Sequence, residues 1–307
     1  MSAHDFSSIV STSERVSWTV DAVLGASRPD LTRPFLPEAL ACVRGLTCLD
    51  AREQLVLNQI RGHSYAYLFF FIEASIIAAI KHELVTVRSG DIDQTRALLR
   101  FVDEELKHQQ LFLRFCELYR TASGNDCGLL ESRATAEDVA ATVMKNTTLA
   151  ILLTILHIEW VSQRHYVEAV HSSDENLDPL FVGMLRAHWL EEAQHTKIDQ
   201  LLLARLITKA APADVERAVD DYLELGKAID GLLYMQMELD VASLERAIAR
   251  PLAAADRDAI LVTQATACRR ALLWLGMTNP AFVEFLGNVS PSGAAKVAQA
   301  ASLMAMA

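Results

Sequence analysis

The run YAYLFFFIEASIIAAI (residues 65–80) sets one carboxylate, Glu73, in the middle of an aromatic and aliphatic stretch, and Glu105-Leu106-Lys107-His108 follows thirty-two residues later. The arrangement recurs. TLAILLTILHIEWV (residues 148–161) carries Glu159, and Glu192-Ala193-Gln194-His195 follows thirty-three residues on. A glutamate three residues before a histidine puts both side chains on one helix face. A lone glutamate among Leu, Ile and Phe is an uncompensated buried charge costing several kcal/mol. Four carboxylates and two imidazoles converging on a pair of metal ions remove that cost. A Glu from each of two helices with Glu-x-x-His from each of two others is the ligand set of a di-metal site inside a helical bundle.

The bulk composition agrees with long buried helices. The chain has 307 residues, 51% of them hydrophobic, with 12 Gly and 8 Pro and no proline between Pro37 and Pro179. Its mean hydropathy is +0.19. A formal net charge of -11 excludes a nucleic-acid partner, which demands a basic face. No Lys/Arg run suggests an anionic membrane surface. Residues 65–80 and 148–161 fall short of the roughly 20 residues of a membrane span, and each carries a glutamate. The N-terminus lacks the basic-then-apolar pattern of a signal peptide. The five cysteines (Cys42, Cys48, Cys116, Cys127, Cys268) are scattered without CxxC spacing and read as reduced thiols of a cytoplasmic protein.

Along the chain, residues 1–35 read as a loose lead-in, followed by a short helix at about 36–47. Helices are expected over about 52–88, 91–121, 135–171 and 178–209. SGD (89–91), SGNDCG (123–128) and HSSDENLDP (171–179) supply the breaks. These four make two pairs, each with one copy of the glutamate pattern, joined by a crossover. Further helices are expected over 213–249, 253–276 and 281–305, interrupted at Pro251, Pro280 and Pro291. The fold class is therefore all-α: a four-helix bundle over about 52–209 with extra N- and C-terminal helices, in one domain.

The candidate metal ligands are Glu73, Glu105 and His108 from the first pair, and Glu159, Glu192 and His195 from the second. Carboxylates bridging two cations, with one imidazole each, suit iron or manganese. Both copies carry an extra glutamate. Glu104 and Glu191 are candidates to take the second N–H of a ligand histidine, with solvated glutamates the plain alternative; Asp199, one turn after His195, is a third. His188 lies four residues before Glu192 and breaks the symmetry, since Phe101 holds the matching place. It is a candidate third histidine ligand. Phe70, Leu156, Gln163 and Tyr166 share the faces of the lone glutamates and are candidate pocket residues, as is Phe112, one turn after His108. His157 and His165 lie off the Glu159 face and are not expected to be ligands.

The order Glu … Glu-x-x-His … Glu … His-x-x-x-Glu-x-x-His resembles the AurF-like p-aminobenzoate N-oxygenases, ferritin-like di-iron enzymes with an extra histidine in the place of His188. The resemblance covers about residues 52–209 and all seven candidate ligands. The string His-x-x-x-Glu-Glu-x-x-His is also similar to one in a group described as predicted metal-dependent hydrolases. The N-oxygenase resemblance implies two iron ions (manganese possible in one or both positions), O2 as co-substrate, an external electron donor and oxidation of a substrate amine. A small-molecule substrate, free or carrier-bound, and a homodimer are expected.

Other classes use the same ligands. A fatty acyl or aldehyde oxygenase of desaturase type would add a long apolar channel, which the composition permits. A radical-storing reductase subunit would place tyrosine where Phe112 stands. Iron storage leaves the C-terminal helices without a role, and a metal-free scaffold leaves the glutamate and histidine register unexplained.

Overall fold

The computed structural model describes residues 5–306, and among them there are helices and turns and no β-strand. Two short helices, α1 (Phe6–Ser13) and α2 (Val20–Val23), precede α3 (Glu38–Ala41). Then come α4 (Ala51–Thr86), α5 (Ile92–Ser123), α6 (Ala136–Val143) and α7 (Thr148–Arg164), the last widening into a π-helical turn at His165–Val170. α8 (Pro179–Ile207) and α9 (Pro212–Ile248) follow. α10 (Ala254–Arg269) passes through a second π-helical turn, Arg270–Trp274, into α11 (Leu275–Met277). α12 (Pro280–Val289) and α13 (Pro291–Met306) end the chain.

Local chemistry sets the boundaries. Asp50 begins α4 with a capping box: its carboxylate accepts from Glu53 N, and Glu53 returns the bond to Asp50 N. Asp91, Thr147 and Asp178 cap α5, α7 and α8 through their side-chain oxygens. Gly124 ends α5 in the left-handed region, φ 68, where a Cβ would be strained. Pro179, Pro212, Pro280 and Pro291 each occupy a first helical position, where the missing N–H costs nothing.

The bundle is two helix pairs. α4 packs along α5, α7 along α8, and the pairs join through α5 against α8 and α4 against α7. α9 crosses α4 and α7, with α10 and α13 laid on it. The apolar interior divides into two clusters. One gathers Phe35, Phe69, Phe71, Phe112, Phe115 and Phe181 at one end. The other gathers Ile76, Phe101, Leu152, Leu202, Tyr222 and Phe282 at the opposite end. Along all four bundle helices the candidate ligands fall where the two clusters meet.

A buried ion pair ties α4 to the accessory helices. Arg61 Nη1 lies 3.2 Å from Asp240 Oδ2 of α9, both side chains at most 3% exposed. Arg61 Nε donates to Gln264 Oε1 of α10 at 2.8 Å, and Ser64 Oγ to Asp240 Oδ2 at 2.6 Å.

Three expectations are corrected. The lead-in is not loose: α1 is capped by Asp5 and buries Phe6, Ile9 and Val10, a helix too short for its periodicity to show in the sequence. The helix expected at 36–47 ends after Ala41, because the Glu38 carboxylate accepts from Val43 N and Arg44 N and turns the chain back. The helix expected over 135–171 is two. Asn146 Nδ2 donates to Thr142 O and Val143 O, closing α6, and Thr147 starts α7 afresh.

Removing one partner of a buried pair leaves an uncompensated charge. Asp240→Ala is expected to cost about 3–5 kcal/mol, read from the urea midpoint, whereas Arg61→Met with Asp240→Leu should keep most of the stability.

Candidate metal centre

The apolar runs make α4 and α7 helices with no polar face at the level of Glu73 and Glu159, so both carboxylates point into the bundle, each 1% exposed. α5 and α8 present their Glu-x-x-His faces opposite. Glu105, His108, Glu192 and His195 bring ligand atoms within 4.8 Å of one another, and so do Glu73, His108 and His188.

The cluster has two halves. In one, His108 Nδ1 stands 3.9 Å from Glu73 Oε1, and His188 Nε2 stands 3.4 Å from the same oxygen. In the other, His195 Nδ1 stands 3.9 Å from Glu159 Oε1. Glu105 lies between them, with Oε2 3.8 Å from His108 Nδ1 and Oε1 2.8 Å from His195 Nδ1. Glu192 Oε1 is 2.9 Å from His188 Nε2, 3.4 Å from His108 Nδ1 and 3.6 Å from His195 Nδ1. Glu105 and Glu192 are thus the carboxylates that lie near both His108 Nδ1 and His195 Nδ1.

Each Glu-x-x-His histidine turns its other nitrogen to the doubled glutamate of the opposite pair. His108 Nε2 donates to Glu191 Oε2 at 2.9 Å, and His195 Nε2 to Glu104 Oε2 at 3.1 Å. A carboxylate oxygen accepts these bonds, so Nε2 carries a proton, and in the neutral form of each ring the Nδ1 lone pair faces the cluster.

The N-terminal segment braces both carboxylates. Ser13 Oγ donates to Glu104 Oε1 at 2.5 Å, and Arg100 Nε donates to Ser13 Oγ at 2.7 Å. Lys107 Nζ donates to Glu191 Oε1 at 2.5 Å and sits 4.1 Å from the centre of the Trp18 ring, which stacks on His108 at 5.9 Å. Nothing in the sequence around Ser13 and Trp18 signals this. Lys107 was visible only as a spacer inside Glu-x-x-His.

Burial and mutual charge set the protonation of the cluster. Burial, then Glu105, drives the Glu73 carboxyl well above its ordinary value. Burial opposes ionisation of Glu105 too, yet His195 and His108 beside it bring it down to about 2. Burial opposes charge on His108, but the nearby carboxylate of Glu105 and the hydrogen bond to Glu191 lift it to about 9. His188 moves the other way, held well below its usual value by burial and then by His108.

The remaining candidates divide. Phe112 and Phe69 pack edge-on against the His188 ring at 5.0 and 5.4 Å. Phe101 stacks on His195 at 4.0 Å. Gln163 Nε2 donates to Glu159 O at 3.3 Å. Asp199 is fully buried, and neither carboxylate oxygen has a hydrogen-bond partner. A small cavity of about 10 Å³ adjoins the carboxylates, lined by Phe69, Ile72, Ile76, Ile158 and Ser162. Phe70, Leu156 and Tyr166 do not line it. At about 100° per residue, Phe70 and Leu156 sit about 60° to one side of their glutamates, and the cavity opens on the other side. Tyr166 lies in the π-helical turn and stacks on Trp189 at 4.9 Å.

His157 and His165 stand apart from the cluster. His165 Nε2 donates to Ala271 O at 2.9 Å, and its Nδ1 accepts from Tyr65 OH at 2.6 Å. His157 Nε2 donates to Leu272 O at 2.8 Å, and its Nδ1 accepts from Tyr222 OH at 2.7 Å. Both accepting carbonyls belong to the π-helical turn at 270–274, and burial holds both histidines near 4.

No family model matches this sequence, and no curated protein does. Solved structures with a similar course of chain include variants of an R2-like ligand-binding oxidase. One with an aerobically reconstituted Mn/Fe cofactor is 12% identical, over 88% of this chain and 94% of that one, with a TM-score of 0.42. Another, with an aerobically reconstituted Fe/Fe cofactor, is 10% identical, over 88% and 93%, with a TM-score of 0.40.

Loss of a carboxylate behind a ligand histidine typically weakens metal binding 10–100-fold. Glu191→Ala and Glu104→Ala are each expected to show that loss in competition with a chelator, with helix content unchanged by circular dichroism.

Proposed function

We propose that this protein holds two metal ions, iron in both positions or manganese in one, and uses them with O2 to oxidise an apolar small molecule. One observation carries the reading. Both oxygens of Glu73 and of Glu105, Oε1 of Glu159 and of Glu192, and Nδ1 of His108 and of His195 are buried without a hydrogen-bond partner. Each such group costs about 1–3 kcal/mol, and more when charged. His195 Nδ1 and Glu105 Oε1 are 2.8 Å apart and still lack hydrogen-bond geometry, as expected of lone pairs directed at a shared cation. The donor set of carboxylates and imidazoles, without thiolate, suits iron and manganese.

When bound, a reduced metal pair supplies two electrons to O2, and an external donor would have to restore them. The chain's own residues do the rest. Glu104 and Glu191 hold the ligand histidines in one tautomer. Phe69, Ile72, Ile76 and Ile158 wall the carboxylates off from water.

Two finer readings follow. Oxidation of an amine nitrogen is favoured by His188: a third neutral donor fills a position otherwise open or weakly held, which favours transfer of oxygen to a lone pair. Oxidation of an acyl chain or aldehyde is favoured by a larger apolar cavity next to the carboxylates, described below.

Reconstitution with ferrous iron is expected to give close to two irons per chain by elemental analysis, and Glu159→Ala to lose most of it. A value near zero with unchanged helicity would overturn the reading. His188→Ala should keep most of the metal and alter the optical spectrum after reduction and O2 addition. Hydroxylamine, nitroso or nitro products from an arylamine panel would favour the amine reading; turnover confined to aldehydes or acyl thioesters, the other.

A further inference from the structure

Behind the small cavity at the carboxylates lies a second, larger one of about 60 Å³. Ile72, Ile76 and Ile158 line both cavities and form the partition between them. On α4 the larger cavity runs from Leu68 to Ile76 and on α7 from Ile151 to Ile158, so it extends about 12 Å along the helix axes. Val139 and Val143 of α6 and Ile229 and Leu232 of α9 close its far side, and these four are only half-buried, which puts its mouth between α6 and α9.

The chemistry of the wall is one-sided. Its polar side chains are Ser75 and Thr154, and Thr154 Oγ1 already donates to Ala150 O of its own helix at 2.9 Å. No charged residue lines it. An ammonium, carboxylate or phosphate would lose its water there and gain no counter-ion. Water gains little in a space without polar partners, and empty walls forfeit their dispersion contacts. The fitting occupant is uncharged, apolar and longer than it is wide.

We propose that this chamber binds the unbranched hydrocarbon chain of the substrate, its polar head at the mouth between α6 and α9 and its far end at the Ile72/Ile76/Ile158 partition. The proposal rests on the di-metal reading for what happens beyond the partition, and on the chamber alone for binding. It favours the acyl-chain reading over the arylamine one. The position oxidised is set by distance from the head, because the wall, the Ser75 hydroxyl apart, offers nothing else by which to place the ligand along its length.

The test is calorimetric titration of the metal-free protein with 1-hexanol to 1-dodecanol. Affinity is expected to rise about four-fold per added methylene, the value for transfer of a CH₂ out of water, and to level off once the chamber is full. Leu232→Trp, which fills the mouth, should weaken 1-decanol at least tenfold with melting temperature and circular dichroism unchanged. Val262→Trp, at a position 63% exposed on α10, should leave it unaltered. The proposal is overturned if no alcohol binds, if affinity does not depend on chain length, if Leu232→Trp binds 1-decanol as the wild type does, or if aniline binds more tightly than every alcohol. The length series on the wild type decides the matter even if Leu232→Trp does not fold. Iron content and O2 consumption of the reconstituted protein test the di-metal reading separately, so either can fail while the other stands.

Discussion

Charge burial is the constraint on which the rest of this structure depends. Glu73, Glu105, Glu159 and Glu192 share one apolar interior, each at most 2% exposed, and four ionised carboxylates cannot occupy it without cations. Protons alone give a partial solution. Burial, reinforced by neighbouring carboxylates, keeps Glu73 and Glu192 protonated above the usual carboxylate range, while the imidazoles of His108 and His195 are raised by the glutamates around them. That solution leaves ligand atoms from all four bundle helices without hydrogen-bond partners. Two divalent ions would satisfy them together, and would join α4 and α5 to α7 and α8 at the level where the two apolar clusters meet.

The bonds behind the ligands join the same helices a second time. Glu191 of α8 holds His108 of α5, and Glu104 of α5 holds His195 of α8. The reciprocity follows from the repeated Glu-Glu-x-x-His: in each copy the second glutamate faces the cluster and the first reaches the histidine of the other copy. The pseudo-symmetry stops at His188 and Phe101. His188 adds a donor to the Glu73/His108 half, whereas Phe101 stacks on His195 in the other. Two metal ions bound in these halves would therefore differ in ligands and in surroundings.

Much of this was legible in the sequence, because the ligand pattern is periodic and its cost in an apolar helix is large. Glu73 and Glu159 could not have been surface residues in their runs, and the paired Glu-x-x-His fixed which helix faces meet. The bundle helices were legible from the capping and breaking residues, Asp91, Gly124 and Asp178 among them. What escaped depends on contacts far apart in the chain. Ser13 and Trp18 reach Glu104 and His108 across about ninety residues of sequence, and no local pattern announces that. The break at 144–147 turns on Asn146 bonding back to α6, a choice that an uninterrupted helical pattern conceals. The pocket residues were misplaced because face-sharing fixes an angle only to within a half-turn. Phe70 and Ile72 both neighbour Glu73, on opposite flanks.

The flank that opens is itself a consequence of the division of labour among the helices. α5 and α8 carry the doubled glutamates, and the groups behind them are polar: Ser13, Arg100 and Lys107 form a hydrogen-bonded layer under the N-terminal segment. α4 and α7 carry single glutamates in otherwise apolar runs, so the space beside them is walled largely by isoleucines. Charge and protons are thus managed on the α5/α8 side and apolar ligand on the α4/α7 side, with the carboxylates between. A substrate approaching from the α4/α7 side meets no competing ion, and no side-chain donor but the Ser75 hydroxyl and the Thr154 hydroxyl already bonded to Ala150 O, before the partition at Ile72, Ile76 and Ile158. Selectivity on that path can come only from shape and from the hydrophobic effect, which grows with each methylene buried.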